Sequence, residues 1–167
     1  QTLAIVQRRS DDPTLSRLAR DQERELREFL FGVGQAVGSG GDLGSRLRQA
    51  AALFEDRFGG TARVVVADDV PPVASAVAHA LAGAVSEALA NAGKHGGAST
   101  VTVFVEPTDG ELFCSVKDDG AGFDAATVTE GEGLARSIRG RIAEVGGRVE
   151  VDGRPGRGTE VRCWVPA

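Results

Sequence analysis

Apolar residues recur every three or four positions through the first 60 residues, which is the spacing of amphipathic helices. One such pattern crosses a charged stretch between Leu15 and Val33, and a second runs from Leu43 to Phe58. The glycine-rich segment 38–41 separates them, so the pattern predicts a helical hairpin. Because two helices alone are too thin to be stable, we expect residues 1–60 to pair with a second copy of the chain; packing against the rest of the domain is the alternative.

After Gly60 the pattern becomes that of short strands between helices. Alternating apolar positions predict five strands, and alanine-rich or glycine-bounded stretches predict two helices. We therefore predict a two-layer α/β sandwich, with a mixed five-stranded sheet covered by helices, over residues 61–167. The predicted strands are 62–67, 101–105, 112–116, 148–151 and 159–165, and the predicted helices are 73–95 and 133–145.

Composition narrows the possible functions. The chain has 167 residues, a formal net charge of −5 and a pI of about 5.1, which gives no general attraction to nucleic acid or anionic lipid. Cys114 and Cys163 lack the spacing of a zinc site, so we expect reduced thiols in the core. No apolar run approaches the length of a membrane span, so we expect a cytoplasmic fragment whose parent protein reaches a membrane only through segments upstream.

Four polar residues mark one face of the longer predicted helix: Glu87, Asn91, Lys94 and His95. Their spacing of i, i+4, i+7 and i+8 places them on one stripe, opposite the apolar face. An Asn carbonyl oxygen is a suitable ligand for Mg²⁺, and Lys and His can meet phosphate charge. An ordinary solvated helix face is the alternative interpretation.

A second motif follows a predicted strand, where Asp118 precedes Gly120 and Gly122. A buried Asp can accept a hydrogen bond from the amine of adenine, and glycines allow close approach of the backbone. A surface turn is the alternative. The segment 131–134 opens the next helix with two glycines, where free N–H groups favour phosphate, and Thr159 enters the last strand.

In this order the motifs resemble the GHKL ATP-binding family, named for gyrase, the Hsp90 chaperone, histidine kinases and MutL, and within it the histidine-kinase branch. The resemblance extends from Thr61 to Pro166. It implies that Asn91 holds Mg²⁺, that Glu87 orients a water or the metal shell, and that segment 124–130 is a short ATP lid, as in the subclass related to nitrate sensors. The residues that it implies for ATP binding are Asn91, Lys94, His95, Asp118, Gly120, Gly122, Gly131, Gly133, Leu134 and Thr159, with Glu87 and Asn91 catalytic.

The same subclass carries a phosphoacceptor His in an Arg-Glu-Leu-His-Asp run. This chain has Arg24-Glu25-Leu26-Arg27-Glu28, so Arg27 stands at the acceptor position. A guanidinium stays protonated and has no free lone pair with which to attack phosphorus. We therefore expect no ordinary self-phosphorylation at this position.

Three functional hypotheses follow from the resemblance. The first is a kinase module that binds MgATP and serves a histidine and response-regulator pathway, with its acceptor on a partner or elsewhere in the protein. The second is a pseudokinase whose nucleotide-bound state alters how the hairpin pairs. The third is a serine kinase of the anti-sigma-factor type, against which the preceding hairpin argues. From the helical hairpin we also expect a homodimer, formed by the N-terminal helices.

Overall fold

The computed structural model describes residues 43–123 and 130–167. The first predicted helix, Arg27 and most of the predicted lid lie outside the described residues. The elements in chain order are α1 (Leu43–Phe58), β1 (Thr61–Val66), α2 (Ser75–Asn91), a π-helical turn (Ala92–Gly96), β2 (Thr100–Thr108), β3 (Glu111–Asp118), α3 (Glu130–Ala143), β4 (Arg148–Gly153) and β5 (Thr159–Pro166).

The five strands form one mixed sheet in the order β1-β2-β3-β5-β4. Strands β1 and β2 are parallel, and the other neighbours are antiparallel. Alternate residues of β2 and β5 are buried, as expected for a sheet that helices cover on one face. Helix α1 packs on β1, α2 on β3 and β5, and α3 on β4. The predicted two-layer α/β sandwich is confirmed.

The core lies between α2 and the middle of the sheet. Leu81, Val85 and Leu89 of α2 are almost fully buried, and they belong to the same apolar cluster as the inward residues of the central strands. Cys114 and Cys163 are register partners on β3 and β5 within this cluster, and both are buried and free, as predicted. Burial raises the pKa of both thiols, that of Cys163 to about 12, so they are unreactive core residues.

Helix α1 packs against the sheet domain. Its Leu47 and Phe54 are buried in the common core, and α1 contacts both β1 and α2. The described helix therefore belongs to the compact unit Gly40–Ala167. For this helix the structure shows the alternative interpretation, which is packing against the rest of the domain. The pairing of residues 1–60 with a second copy, and the domain boundary after residue 60, stay predictions.

The two helices predicted within residues 61–167 begin at other residues than predicted. Helix α2 begins at Ser75 because Ala74 is extended, with ψ 144°, after the Pro71-Pro72 pair. Helix α3 begins at Glu130, ahead of the glycine that we took as its start, so the last residue of the predicted lid belongs to the helix.

Within residues 43–123 and 130–167, none of the helices has both the length and the apolar character that a membrane span requires.

Candidate nucleotide site

Asp118 is the last residue of β3, and its side chain is on the buried face of the sheet, 8% exposed. Its Oδ1 accepts hydrogen bonds from the backbone N–H groups of Gly120, at 2.8 Å, and Thr159, at 3.2 Å. Burial raises the pKa of this carboxyl group, the two N–H donors oppose that shift, and the neighbouring charge of Asp119 adds to it. Among the described contacts both donors use Oδ1, which leaves Oδ2 to meet a ligand.

The loop after Asp118 is packed so closely that only glycine fits. A Cβ on Gly120 would lie 2.6 Å from the carbonyl oxygen of Gly96. Gly122 has φ +63°, and a Cβ there would overlap the carbonyl oxygen of Arg154. These glycines therefore allow close packing of the backbone, and their close approach to a base stays a prediction.

Backbone hydrogen bonds join three segments at this edge of the sheet. Ala121 N–H donates to the carbonyl of Gly96, at the end of the π-helical turn, at 2.8 Å. Gly156 N–H, in the turn between β4 and β5, donates to the carbonyl of Ala121 at 2.7 Å. These hydrogen bonds connect the π-helical turn, the loop after Asp118 and the turn before β5, although the three segments are far apart in sequence.

Asp119 has a different role from its neighbour. It is exposed, and its Oδ1 accepts from the N–H group of Ser99, at 2.8 Å, and from that of Thr100, the first residue of β2, at 2.9 Å. These backbone hydrogen bonds, that from Thr100 first, lower the pKa of the Asp119 carboxyl group. The two neighbouring carboxylates therefore bind different backbone segments, Asp118 the start of β5 and Asp119 the segment that leads into β2.

We expect Asp119→Ala to lower the free energy of unfolding by roughly 1 kcal/mol or less at pH 7, because two N–H groups lose a charged acceptor at an exposed site. A depressed pKa contributes stability above the unfolded value, about 3.9, and that contribution is lost as pH falls through the folded value. Urea unfolding should therefore show the difference from wild type shrinking below about pH 4. Asp119→Asn, which keeps an acceptor oxygen without charge, should fall between the two proteins at pH 7.

The polar stripe on α2 is divided by a change in helix type. Glu87 and Asn91 are half-buried on the α-helix, whereas Lys94 and His95 are exposed in the π-helical turn that follows. The predicted α-helix to residue 95 is therefore wrong in its last turn, and the α-helical spacing holds only for the first pair. The turn is rich in glycine, and Gly97, which follows it, has φ +57°.

Helix α3 contributes a contact that the sequence did not predict. Ser137 Oγ donates to Oε2 of Glu87 at 2.8 Å. One turn away, the Arg141 side chain lies against Gly83. Contacts between 83 and 141 and between 87 and 137 mean that α2 and α3 run antiparallel, with the N-terminal end of α3 beside the C-terminal end of α2.

The remaining predicted residues lie on elements that meet at this edge. Gly131, Gly133 and Leu134 fall in the first turns of α3, and Thr159 is buried as the first residue of β5. In the described ranges no group of three or more His, Cys, Asp or Glu side chains could hold a metal ion. A metal bound to Asn91 would take its other ligands from water and phosphate, which suits Mg²⁺.

The family is decided by residues 76–167, more than half of the chain, which match the model described as "Histidine kinase-, DNA gyrase B-, and HSP90-like ATPase". The chain belongs to this ATPase family. The match includes α2 with its polar stripe, the Asp118 loop, α3 and β5. The resemblance to the GHKL family is thereby confirmed; the roles of individual site residues stay predictions.

Similar proteins include sensor histidine kinases. An uncharacterized sensor-like histidine kinase of Chloroflexus aurantiacus is 31% identical over 91% of this chain, and sensor histidine kinase NarS of Mycobacterium tuberculosis is 34% identical over 84%. The chain spans only 27% and 33% of their lengths. Among solved structures, full-length ShkA in complex with AMPPNP has a TM-score of 0.64 and 27% identity, covering 80% of this chain and 32% of ShkA.

Proposed function

We propose that this chain is the MgATP-binding kinase module of a sensor histidine kinase-like signalling protein. The observation that carries the proposal is the buried Asp118 carboxylate, held through one oxygen by two backbone N–H groups, in a loop whose backbone is hydrogen-bonded to the turn that follows Asn91. Its second oxygen accepts a hydrogen bond from the exocyclic amine of adenine. Carboxylate recognition of this kind selects adenine over guanine, which has a carbonyl oxygen at that position.

The phosphate end of the site lies between α2 and α3. The contacts 83–141 and 87–137 differ by four residues on each helix. One further turn in the same register would bring Asn91 beside Gly133. Asn91 supplies an oxygen to Mg²⁺, and the N-terminal N–H groups of α3 bind phosphate oxygens. Bound Mg²⁺ neutralises charge that develops on the transferring phosphoryl group. Lys94 and His95 are exposed in the turn that follows Asn91, where Lys94 adds positive charge toward phosphate and His95 can donate a hydrogen bond to it.

The acceptor of the phosphoryl group is not at the usual position, because Arg27 stands there. We propose that the acceptor lies on a partner or on another part of the longer protein, within a response-regulator pathway, and that the N-terminal helices form a homodimer. A cytoplasmic location for this module, with membrane attachment through other segments, agrees with a chain that spans a minor part of sensor-kinase relatives.

A pseudokinase is the second candidate, and Arg27 is the observation that favours it. A chain that keeps the nucleotide motifs but lacks the nucleophile can use MgATP to change its conformation or pairing without transfer. Release of phosphate, or labelling of a supplied acceptor, separates the two candidates, since both bind MgATP.

Asn91→Ala tests the metal role. We expect the variant to lose the increase in ATP affinity that Mg²⁺ gives the wild type, about tenfold or more, because water cannot fully replace a fixed oxygen ligand. The measurement is calorimetric titration of ATP with Mg²⁺ and with EDTA. Asn91→Asp keeps an oxygen ligand and should retain a Mg²⁺ effect. An Asn91→Ala protein with unchanged Mg²⁺ dependence would show that the metal is held elsewhere.

A further inference from the structure

The hydrogen bond between Ser137 and Glu87 connects the two helices that build the phosphate end of the site. Ser137 lies on α3, two turns after its start, and Glu87 lies on α2, one turn before Asn91. Neither the pattern of the sequence nor the family motifs single out Ser137. Its neighbours on α3, Arg136 and Arg139, are exposed and carry no contact to α2 among the described interactions.

We propose that Ser137 is a positioning residue that holds the Glu87 carboxylate in place for the phosphoryl end of the site. The proposal rests on the proposed function, in which Glu87 orients a water or the metal shell. The Ser137 hydroxyl donates to Oε2 of Glu87 at 2.8 Å. In the proposed site Oε1 is then the oxygen left to meet the ligand. A Glu side chain has three rotatable bonds, and fixing one oxygen reduces the conformations among which the other must be found.

The location of Ser137 also connects the position of α3 to that of the Glu87 side chain. The start of α3, with Gly131 and Gly133, follows the predicted lid and is the part of the helix that phosphate contacts in the proposed site. Because α3 is one continuous helix from Glu130 to Ala143, we expect a shift of its first turns on nucleotide binding to move the donor that holds Glu87. The contact of Arg141 with Gly83 keeps the next turn of the two helices together.

The first test separates binding from turnover in the intact chain. We expect Ser137→Ala to lower the rate of phosphate release, or of transfer to a supplied acceptor, by about threefold to tenfold, with ATP affinity unchanged. Ser137→Thr keeps a hydroxyl and should restore most of the rate. Ser86→Ala, which removes an exposed hydroxyl beside Glu87 in sequence, is the matched control and should behave as wild type.

The second test does not need turnover. In protein labelled with ¹³C-glutamate, the Glu87 carboxyl carbon resonance is assigned by its loss in Glu87→Gln. We expect this resonance to move in Ser137→Ala, to remain near its wild-type position in Ser137→Thr, and to respond to MgAMPPNP only where the hydroxyl is present. Alanine is a better helix former than serine, so α3 should stay folded in the variant.

The outcomes are distinguishable. An unchanged Glu87 resonance in Ser137→Ala overturns the proposal, as does a shifted resonance with a wild-type rate of turnover. If the wild type binds MgAMPPNP without turnover, the response of the Glu87 resonance to MgAMPPNP is the only test. The same response in the wild type and in Ser137→Ala would then overturn the proposal. Failure of the wild type to bind nucleotide contradicts the proposed function instead, and the affinity measurement shows this separately.

Discussion

Replacing Asp118 by Asn is expected to reduce ATP affinity by about 100-fold or more while leaving the fold at least as stable as before. Asn keeps an oxygen that can accept the two N–H groups now bound to Oδ1. Its other side-chain atom becomes an NH₂ donor facing the amine donor of adenine, so the recognition contact becomes a repulsive one. The same NH₂ group can donate to the carbonyl of guanine, and the ratio of GTP to ATP affinity should rise.

The stability half of this prediction follows from the raised pKa of Asp118. When an acid has a higher pKa in the folded than in the unfolded state, its contribution to stability is greatest at low pH and is lost as pH rises through the folded value. At pH 7 the buried charge therefore opposes folding, and a neutral amide removes that cost. Urea unfolding at pH 7 measures the change, and Asp118→Ala, which leaves the N–H groups of Gly120 and Thr159 without an acceptor, is the destabilised control.

A lower free energy of unfolding for Asp118→Asn than for the wild type at pH 7 would contradict the view that the buried charge opposes folding. It would mean that the carboxylate mainly holds the β3 and β5 ends together. Unchanged ATP affinity in the same variant would show that the adenine is recognised elsewhere. The two measurements are independent, so either half of the prediction can fail alone.

The second large effect is expected at Gly158, in the turn before β5. Its φ is +77°, and a Cβ there would overlap the carbonyl oxygen of Asp118. We expect Gly158→Ala to lower the free energy of unfolding by about 3 kcal/mol or more, because the backbone rather than a flexible side chain must move. The movement would separate β5 from the end of β3, so ATP affinity should fall as well.

Gly156 provides a matched control two residues earlier. It also has a positive φ, +71°, but nothing lies within 4 Å of a Cβ placed there. Gly156→Ala should therefore cost only the conformational strain, about 1 kcal/mol, and retain nucleotide binding. Denaturant unfolding and ATP titration of the two variants in parallel make the comparison. Equal losses of stability would contradict the close packing of Gly158 on Asp118.

Much of the fold could be predicted because the strands carry clear alternation. Val101, Val103 and Val105 face inward and their neighbours outward, and this one pattern gives both the strand and its buried face. The Asp118 motif could be placed at a strand end for the same reason. The order of the motifs identified the family, since the motifs must all reach one edge of the sheet to form a site.

The parts that could not be predicted depend on contacts between distant segments. An apolar seam on residues 43–58 is the same whether it faces a second copy or the strand β1, and only the three-dimensional packing decides. The hydrogen bond between Ser137 and Glu87 joins residues 50 positions apart and has no local signal. In the π-helical turn after Asn91, the ring of Phe58 occupies the space beside Gly93, another contact between distant segments that has no local signal.

The proposed function depends above all on the binding of MgATP through Asp118. The most direct measurement is calorimetric titration of the intact wild-type chain and of Asp118→Asn with AMPPNP, each with Mg²⁺ and with EDTA. We predict one nucleotide per wild-type chain, tighter binding with Mg²⁺, and an affinity lower by about 100-fold or more in the variant. Equal binding by the two proteins, or none by the wild type under any of these conditions, would contradict it.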